Sequence, residues 1–326
     1  MEGPANGHGQ GHDQRDGPVT AVVSKEVSPD RSPLRLAPRR HYGQIAAAVV
    51  VLLLSFMLVQ SVATNSNMQW SVVWHYLWNG QVGEGIVTTL VLTVMCMAMG
   101  TLLAIVLAVM RLSKNRVLST VALVYVWFFR GTPLLVQLVF WYNLAALFPV
   151  LQIGIPFTGV SAGVSTNAVI TAFVAAVLGF TLNEAAYMSE IVRAGIQSVN
   201  TGQREAALST GMTEAQCMLR IVLPQAMRVI VPPTANQAIN LLKATSLVAF
   251  IAGGDLLSAA QNIYAVNFAV IPLLVVASIW YLVIVTVASV GQHYLERLVG
   301  RGVTTFDDAA VTDQIASIEA RQGGNA

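Results

Sequence analysis

Long apolar runs with almost no charged side chain constrain this chain more than any other feature. Between Tyr42 and Met110 the only charged residue is Glu84, and residues 117–183 contain only Arg130. A helix needs about 20 apolar residues to cross the roughly 30 Å hydrocarbon layer of a bilayer. Charged residues make up 10% of the 326-residue sequence, against about 25% in a typical soluble domain. The sequence therefore predicts an all-α polytopic membrane protein.

Six stretches are candidates for crossing the membrane. We predict spans at residues 45–62, 84–110, 133–148, 168–191, 234–251 and 269–290. The apolar region 117–148 is too long for one perpendicular crossing, and Gly131 and Pro133 interrupt it. We therefore expect residues 117–129 to lie along the cytoplasmic interface and residues 133–148 to cross.

The basic residues are distributed on one side of these spans. They fall almost entirely in the N-terminal tail, the loops 111–116 and 193–228, and the C-terminal tail, whereas loops 63–83, 149–167 and 252–268 contain none. Because cytoplasmic loops carry the excess of Lys and Arg, both termini are expected in the cytoplasm. Four aromatic residues would then form a belt at the outer face: Trp70, Trp74, Tyr76 and Trp78.

The predicted organisation has four parts. Residues 1–40 read as a disordered cytoplasmic tail, 41–83 as an extra N-terminal transmembrane helix with an outer loop, 84–298 as the main transmembrane domain, and 299–326 as a cytoplasmic tail. One alternative stays open, because the apolar run and the small residues 61–63 also fit a cleaved signal peptide of unusual length.

Several functional classes lack support in the sequence. The net charge of +2 is too small to indicate a nucleic-acid partner. No P-loop or HExxH motif occurs, so we expect neither an ATPase site nor catalytic residues nor a metal site in this chain. Cys96 lies in an apolar stretch and Cys217 in a polar loop, and both are interpreted as free thiols.

The loop at residues 202–224 is the most informative polar segment. Its sequence predicts two short helical pieces hinged at Gly211, with Thr213 able to cap the second piece. Ala206 and Ala207 permit close approach by another surface, and we expect Pro224 to end the second piece. A short helical bracket of this kind suits the groove of a partner protein.

This loop also resembles a known family. Its spacing matches the EAA motif of permease subunits in bacterial ATP-binding-cassette (ABC) importers through Glu205, Ala206, Ala207, Gly211, Ile221, Leu223 and Pro224. Residues 129–135, 190–196, 202–203 and 243–247 are similar to the polar amino-acid (histidine/glutamine/arginine) branch of that family. The resemblance covers about residues 80–298 and implies a core of five spans, to which the first predicted span is an addition.

The resemblance implies a machine with parts on other chains. A cytoplasmic ABC ATPase would bind ATP and Mg and would dock on the seven EAA residues, a second permease subunit would complete a homodimer or heterodimer, and an extracytoplasmic binding protein would deliver the amino acid. The chain itself would need no cofactor. It would lie in the bacterial cytoplasmic membrane, in contact with lipid and without a nucleic-acid partner.

Charges inside the bilayer are candidates for the transport pathway, since each costs about 2.5–3.5 kcal/mol on insertion scales. Glu184 and Tyr187 share one helix face and could bind the ammonium group of an amino acid. Lys243 could bind its carboxylate, or Glu184 and Lys243 could simply neutralise each other. Lys243 has Asn236 and Asn240 on the preceding turns of its span. Further polar candidates for the lining are Asn183, Asn240, Thr245 and Ser246.

Two other charged residues receive less prominent roles. Glu190 and Arg193 are expected to form a local pair. Arg130 is expected to anchor the chain at the interface rather than to bind substrate. A secondary transporter or channel without an ATPase is the alternative function, and an integral membrane enzyme has no candidate chemistry here.

Overall fold

The computed structural model describes residues 42–154 and 161–300. The predicted tails at 1–40 and 299–326 lie outside the described residues, except that residues 299–300 belong to the last helix. Contacts divide the chain into two units at Val59 and Gln60, inside the first helix, and the packing below concerns the second unit.

Helices dominate the described residues. The α-helices are α1 (Tyr42–Thr64), α2 (Trp70–Leu77), α3 (Gly80–Leu112), α4 (Arg116–Gly131), α5 (Leu134–Tyr142), α6 (Leu144–Leu147), α7 (Thr166–Val169), α8 (Ala172–Gln197), α9 (Thr201–Ser209), α10 (Glu214–Cys217), α11 (Leu223–Ala244), α12 (Leu256–Asn267) and α13 (Val270–Gly300). Strands β1 (Val150–Gly154) and β2 (Ser161–Ser165) form an antiparallel hairpin that the all-α prediction did not include.

The predicted polytopic architecture is confirmed in its main features. Five helical segments are long and apolar enough to cross a membrane, or up to six if α4 and α5 together form one bent span. The two helices meet at 98°, at the break predicted from Gly131 and Pro133. α1 satisfies the same criterion over Ala46–Thr64, and its role as an extra transmembrane helix stays a prediction.

The backbone of the α4–α5 break is hydrogen-bonded by side chains. Pro133 has no N–H to donate to the carbonyl of Phe129, four residues earlier. Instead, that carbonyl accepts from Gln137 Nε2 at 3.0 Å and from Asn183 Nδ2 at 2.9 Å. Gln137 Nε2 also lies 3.1 Å from the carbonyl oxygen of Thr132. These contacts satisfy carbonyl groups that the helix break would otherwise leave without a donor.

The segment 252–268, expected to be an outer loop, instead contains helix α12. The carboxylate of Asp255 accepts hydrogen bonds from the backbone of Leu257 and Ser258 and thereby caps this helix. α12 packs between α3 and α13. Twelve residues are too few to cross a membrane, so a search for long apolar spans does not detect such a helix.

The predicted helix end at Pro224 is also wrong. The chain stays helical from α10 through a π-helical turn, Met218–Val222, into α11. The N–H of Leu223 donates to the carbonyl of Met218, five residues earlier. This shift of the hydrogen-bond register lets Pro224 occupy the first turn of α11, where its missing N–H is tolerated. Consequently, α11 begins well before the predicted span at 234–251.

The packed interior centres on the contact between α3 and α8. Buried residues of these helices, including Leu92, Cys96 and Phe180, pack with Leu138 of α5 and Val248. Val248 belongs to a 3₁₀-helical segment, Thr245–Ile251, that follows α11. This core holds α8 and α11 side by side, and the candidate site lies between them.

Candidate functional site

A polar cavity of about 460 Å³ lies where α8, α11 and the α4–α5 break meet. We call it the polar cavity, and its lining comprises Arg130, Gly131, Thr132, Pro133, Leu134, Asn183, Glu184, Tyr187, Gln237, Asn240, Leu241 and Ala244. The lining therefore contains a carboxylate, a guanidinium group, an aromatic ring and three side-chain amides.

Glu184 is the buried acid of the polar cavity, with 2% of its surface exposed. Its Oε2 accepts a hydrogen bond from Gln237 Nε2 at 3.1 Å. Its Oε1 is buried and has no hydrogen-bond partner among the described residues. A buried carboxylate oxygen without a hydrogen-bond partner is energetically unfavourable. Oε1 of Glu184 can therefore accept a hydrogen bond from a bound ligand.

Arg130 supplies the opposite charge. Its guanidinium carbon lies 5.1 Å from the centre of the Tyr187 ring, in the range of a cation–π contact. Arg130 belongs to none of the ion pairs formed within residues 42–154 and 161–300. The cavity thus offers two groups of opposite charge, neither paired with the other.

The structure separates the predicted pathway residues into two groups. Glu184, Tyr187 and Asn240 line the polar cavity. Lys243 is exposed and, in the part of the chain that the structure describes, forms no ion pair with Glu184. Thr245 is buried, and its hydroxyl donates to the carbonyl of Leu242 at 2.6 Å. Ser246 is half-buried, and its hydroxyl donates to the carbonyl of Lys243 at 2.8 Å.

Sequence reasoning did not assign Gln237 or Arg130 to the lining. Gln237 precedes Asn240 by three residues and therefore lies one turn away on α11, so helical spacing could have indicated it. Arg130 was expected at the interface, and its proximity to Tyr187 depends on packing between α4 and α8 that no local pattern reveals.

A second charged cluster lies further along α8. Glu190 Oε2 is 2.6 Å from Arg193 Nη2, which confirms the predicted local pair. Glu190 Oε1 is also 3.4 Å from Arg111 Nη2 on α3. Two guanidinium groups therefore already neutralise this carboxylate.

The loop containing the EAA residues forms two helical limbs, as predicted. Gly211 adopts a φ of +87° after α9. Its N–H donates to Leu208, and the N–H of Met212 donates to Ala207. These two bonds form a Schellman C-cap, which favours glycine because L-residues with a side chain rarely adopt this conformation. Thr213 caps α10, as predicted, and forms a reciprocal capping box with Gln216.

The two limbs enclose a small apolar core of their own. Ala207, Cys217 and Val222 are buried there, with Ile221 partly buried against them. Cys217 and Cys96 are both free thiols, as predicted, and both are buried. Leu223 is half-buried at the start of α11 and Pro224 is exposed beside it. Four of the seven EAA residues therefore act within the loop itself: Ala207 and Ile221 pack in its core, and Leu223 and Pro224 begin α11.

The outer surface of the loop combines exposed small, apolar and charged groups. Glu205 and Ala206 are exposed, and Leu219 exposes 64% of its surface. Arg204 and Glu214 form an ion pair that links the two limbs. Hydrogen bonding and charge attraction from Arg204 lower the pKa of Glu214 below its ordinary value.

Comparison with known proteins identifies the family. The model of the family described as "binding-protein-dependent transport system inner membrane component" matches residues 100–301. The arginine transport system permease protein ArgU of Corynebacterium glutamicum is 41% identical over 295 residues, which cover 90% of this chain and 92% of that protein. The L-cystine transport system permease protein TcyB of Bacillus subtilis is 39% identical over 235 residues, 72% of this chain and 92% of that protein.

A solved structure agrees with these relatives. The crystal structure of an amino acid ABC transporter with histidines has 35% sequence identity and a TM-score of 0.57, covering 67% of this chain and 94% of that one. The match to ArgU leaves about a tenth of this chain unmatched, which is fewer residues than precede the end of α1, so this match extends into α1. The match to TcyB covers less of this chain, and α1 can lie outside it. The chain belongs to the family of inner-membrane components of binding-protein-dependent transport systems, and it is a permease subunit of an ABC importer.

Proposed function

We propose that this permease moves a polar amino acid across the cytoplasmic membrane and that the polar cavity binds it on the way. Two of its relatives are named for the transport of arginine and of L-cystine. Both are amino acids with polar or charged side chains, and both carry the ammonium and carboxylate groups common to the class.

The unpartnered oxygen of Glu184 is the observation that carries this proposal. An ammonium group of the cargo would donate to Oε1 of Glu184 and would neutralise the buried charge. The ring of Tyr187 and the amide of Asn240 would complete this end of the site. Arg130, rather than Lys243, is the group on the same cavity that would bind the cargo carboxylate.

Lys243 fits a different position in the pathway. Asn236, Asn240 and Lys243 follow one another at helical spacing on α11, and all three are exposed. Polar groups facing lipid are unfavourable. We therefore infer that a second permease subunit, either a copy of this chain or a related one, covers this face and encloses an aqueous path. Thr245 and Ser246 would shape the backbone beside Lys243 rather than contact the cargo.

The energy for transport would enter through the loop at residues 202–224. A cytoplasmic ABC ATPase, which binds ATP and Mg, would dock on the exposed surface around Glu205 and Ala206. Gly211 and the buried residues of the loop would keep this surface in shape. An extracytoplasmic binding protein would deliver the amino acid at the opposite face, with both termini of the permease in the cytoplasm.

The test is uptake by the assembled transporter in proteoliposomes, with radiolabelled L-arginine and L-glutamine as cargo. Glu184→Gln should reduce uptake strongly, because a neutral amide cannot neutralise an ammonium group. Glu190→Gln is the matched control, since the Glu190 carboxylate is already paired with Arg193 and Arg111. A larger loss of uptake in Glu190→Gln than in Glu184→Gln would show that the wrong carboxylate has been assigned to the cargo.

A further inference from the structure

A second cavity continues the polar cavity along α8 and α11. It has a volume of about 400 Å³. We call it the arginine-rich cavity, and its lining comprises Arg130, Tyr187, Glu190, Ile191, Arg193, Ala194, Gly195, Val229 and Pro233. On α8 its residues follow those of the polar cavity, and on α11 they precede them. Because the two helices run in opposite directions at this point, the two cavities lie one after the other along a single groove.

Arg130 and Tyr187 are the residues that the two linings have in common. They are also the two residues in cation–π contact, with the guanidinium carbon 5.1 Å from the ring centre. The contact therefore lies at the junction of the two cavities.

The charges around the junction explain why Arg130 stays on the ring. Glu190 is the carboxylate of the arginine-rich cavity, and it is already paired with Arg193 and Arg111. Glu184 is on the polar side, where it accepts a hydrogen bond from Gln237 and forms no ion pair with Arg130 among the described residues. Within residues 42–154 and 161–300 only the ring face holds the guanidinium group, which therefore remains available to a stronger acceptor such as a carboxylate.

We propose that the arginine-rich cavity is the exit compartment of the transport pathway and that the Arg130–Tyr187 pair is the gate between it and the polar cavity. The proposal rests on the proposed function of the polar cavity. When a cargo carboxylate binds Arg130, the guanidinium group leaves the ring of Tyr187 and the two compartments join. The gate thus responds to the carboxylate that every amino-acid cargo carries.

The gate can be tested by thiol accessibility in the assembled transporter. Cys96 and Cys217 are first replaced by Ala, and a single reporter is introduced as Ala244→Cys in the polar cavity or Ala194→Cys in the arginine-rich cavity. A membrane-impermeant maleimide is then added to inside-out proteoliposomes without ATP or cargo. With the gate intact, Ala194→Cys should react quickly and Ala244→Cys slowly.

Removal of either partner should open the path to the inner reporter. Arg130→Met or Tyr187→Leu should raise the labelling rate of Ala244→Cys by about two- to five-fold, the factor that corresponds to losing a cation–π contact between exposed side chains. Tyr187→Phe keeps the ring face and should leave the rate as slow as in the parent protein. Ala194→Cys should react at the same rate in all variants. An unchanged rate at this position also shows that the groove remains folded.

Equal labelling of Ala244→Cys with and without the pair would overturn the gate, as would a Tyr187→Phe variant that behaves like Tyr187→Leu. If both reporters reacted only from the opposite face of the membrane, the arginine-rich cavity would not be the exit. Labelling needs no transport, so normal uptake by Glu184→Gln would reject the proposed function while leaving the gate result intact.

Discussion

Gly100 lies directly against Glu184, so that a Cβ atom built on Gly100 would be 2.9 Å from the Cβ of Glu184. α3 and α8 therefore approach each other closely at the height of the polar cavity. The absence of a side chain at Gly100 gives the buried carboxylate its position, and the identity of this residue is part of the site.

Gly100→Ala should displace Glu184 and destabilise the protein by about 1–3 kcal/mol, because the added methyl group meets a packed helix. We expect a lower apparent affinity for cargo together with a lower unfolding temperature, measured by uptake kinetics and by thermal denaturation in detergent. Gly83→Ala is the matched control on the same helix, since a Cβ there meets nothing within 4 Å. A Gly100→Ala transporter with unchanged affinity would show that the close approach does not position the carboxylate.

Gln137 stabilises the α4–α5 break because its Nε2 donates hydrogen bonds to the backbone carbonyls of Phe129 and Thr132. Gln137→Met should leave the carbonyls of Phe129 and Thr132 short of a donor, at a cost of about 1–3 kcal/mol. Asn183 would still contact Phe129, so we expect destabilisation rather than loss of the fold. Thermal denaturation of the purified subunit measures the effect.

Val136→Met serves as the control for that substitution, because Val136 is the neighbouring residue and is exposed. It should change stability little in comparison. Equal losses in the two variants would mean that the bend at Pro133 does not depend on the amide of Gln137.

Gly211 is required for its backbone conformation rather than for space, since a Cβ there would meet nothing within 4 Å. With φ at +87°, Gly211→Ala should cost about 1–2 kcal/mol and should loosen the turn between α9 and α10. We expect weaker stimulation of the partner ATPase by cargo, measured as ATP hydrolysis in the assembled transporter. Gly211→Asn should retain more stimulation than Gly211→Ala, because Asn tolerates the left-handed region better. The reverse order would contradict a role through backbone conformation.

The sequence predicted those features of the site that depend on interactions between residues close together in the chain. The hinge at Gly211 and the cap at Thr213 depend on a few neighbouring residues, and both were predicted. Helical spacing also grouped Glu184 with Tyr187 and placed Asn236, Asn240 and Lys243 on one face of α11.

Spacing along one helix could not show which face meets which neighbour. Asn240 lines the polar cavity whereas Lys243, one turn further on, does not. The role of Arg130 depends on contact between α4 and α8, whose residues are far apart in sequence. α12 was not predicted because its 12 residues are too few to cross a membrane, and only segments long enough to cross were sought.

The ion pair between Arg204 and Glu214 makes the loop sensitive to acid. Since Arg204 lowers the pKa of Glu214 in the folded loop, the pair contributes stability that is fully present above the ordinary pKa of glutamate. That contribution is lost as the pH falls through the lowered pKa and the carboxyl group takes up a proton. Hydrogen exchange of α9 and α10, corrected for intrinsic rates, should therefore show more protection in the native protein than in Glu214→Gln at pH 7. The difference should disappear at a pH below the lowered pKa, where both proteins carry a neutral side chain at position 214. A difference that persisted in strong acid would mean that Glu214 stabilises the loop through something other than its charge.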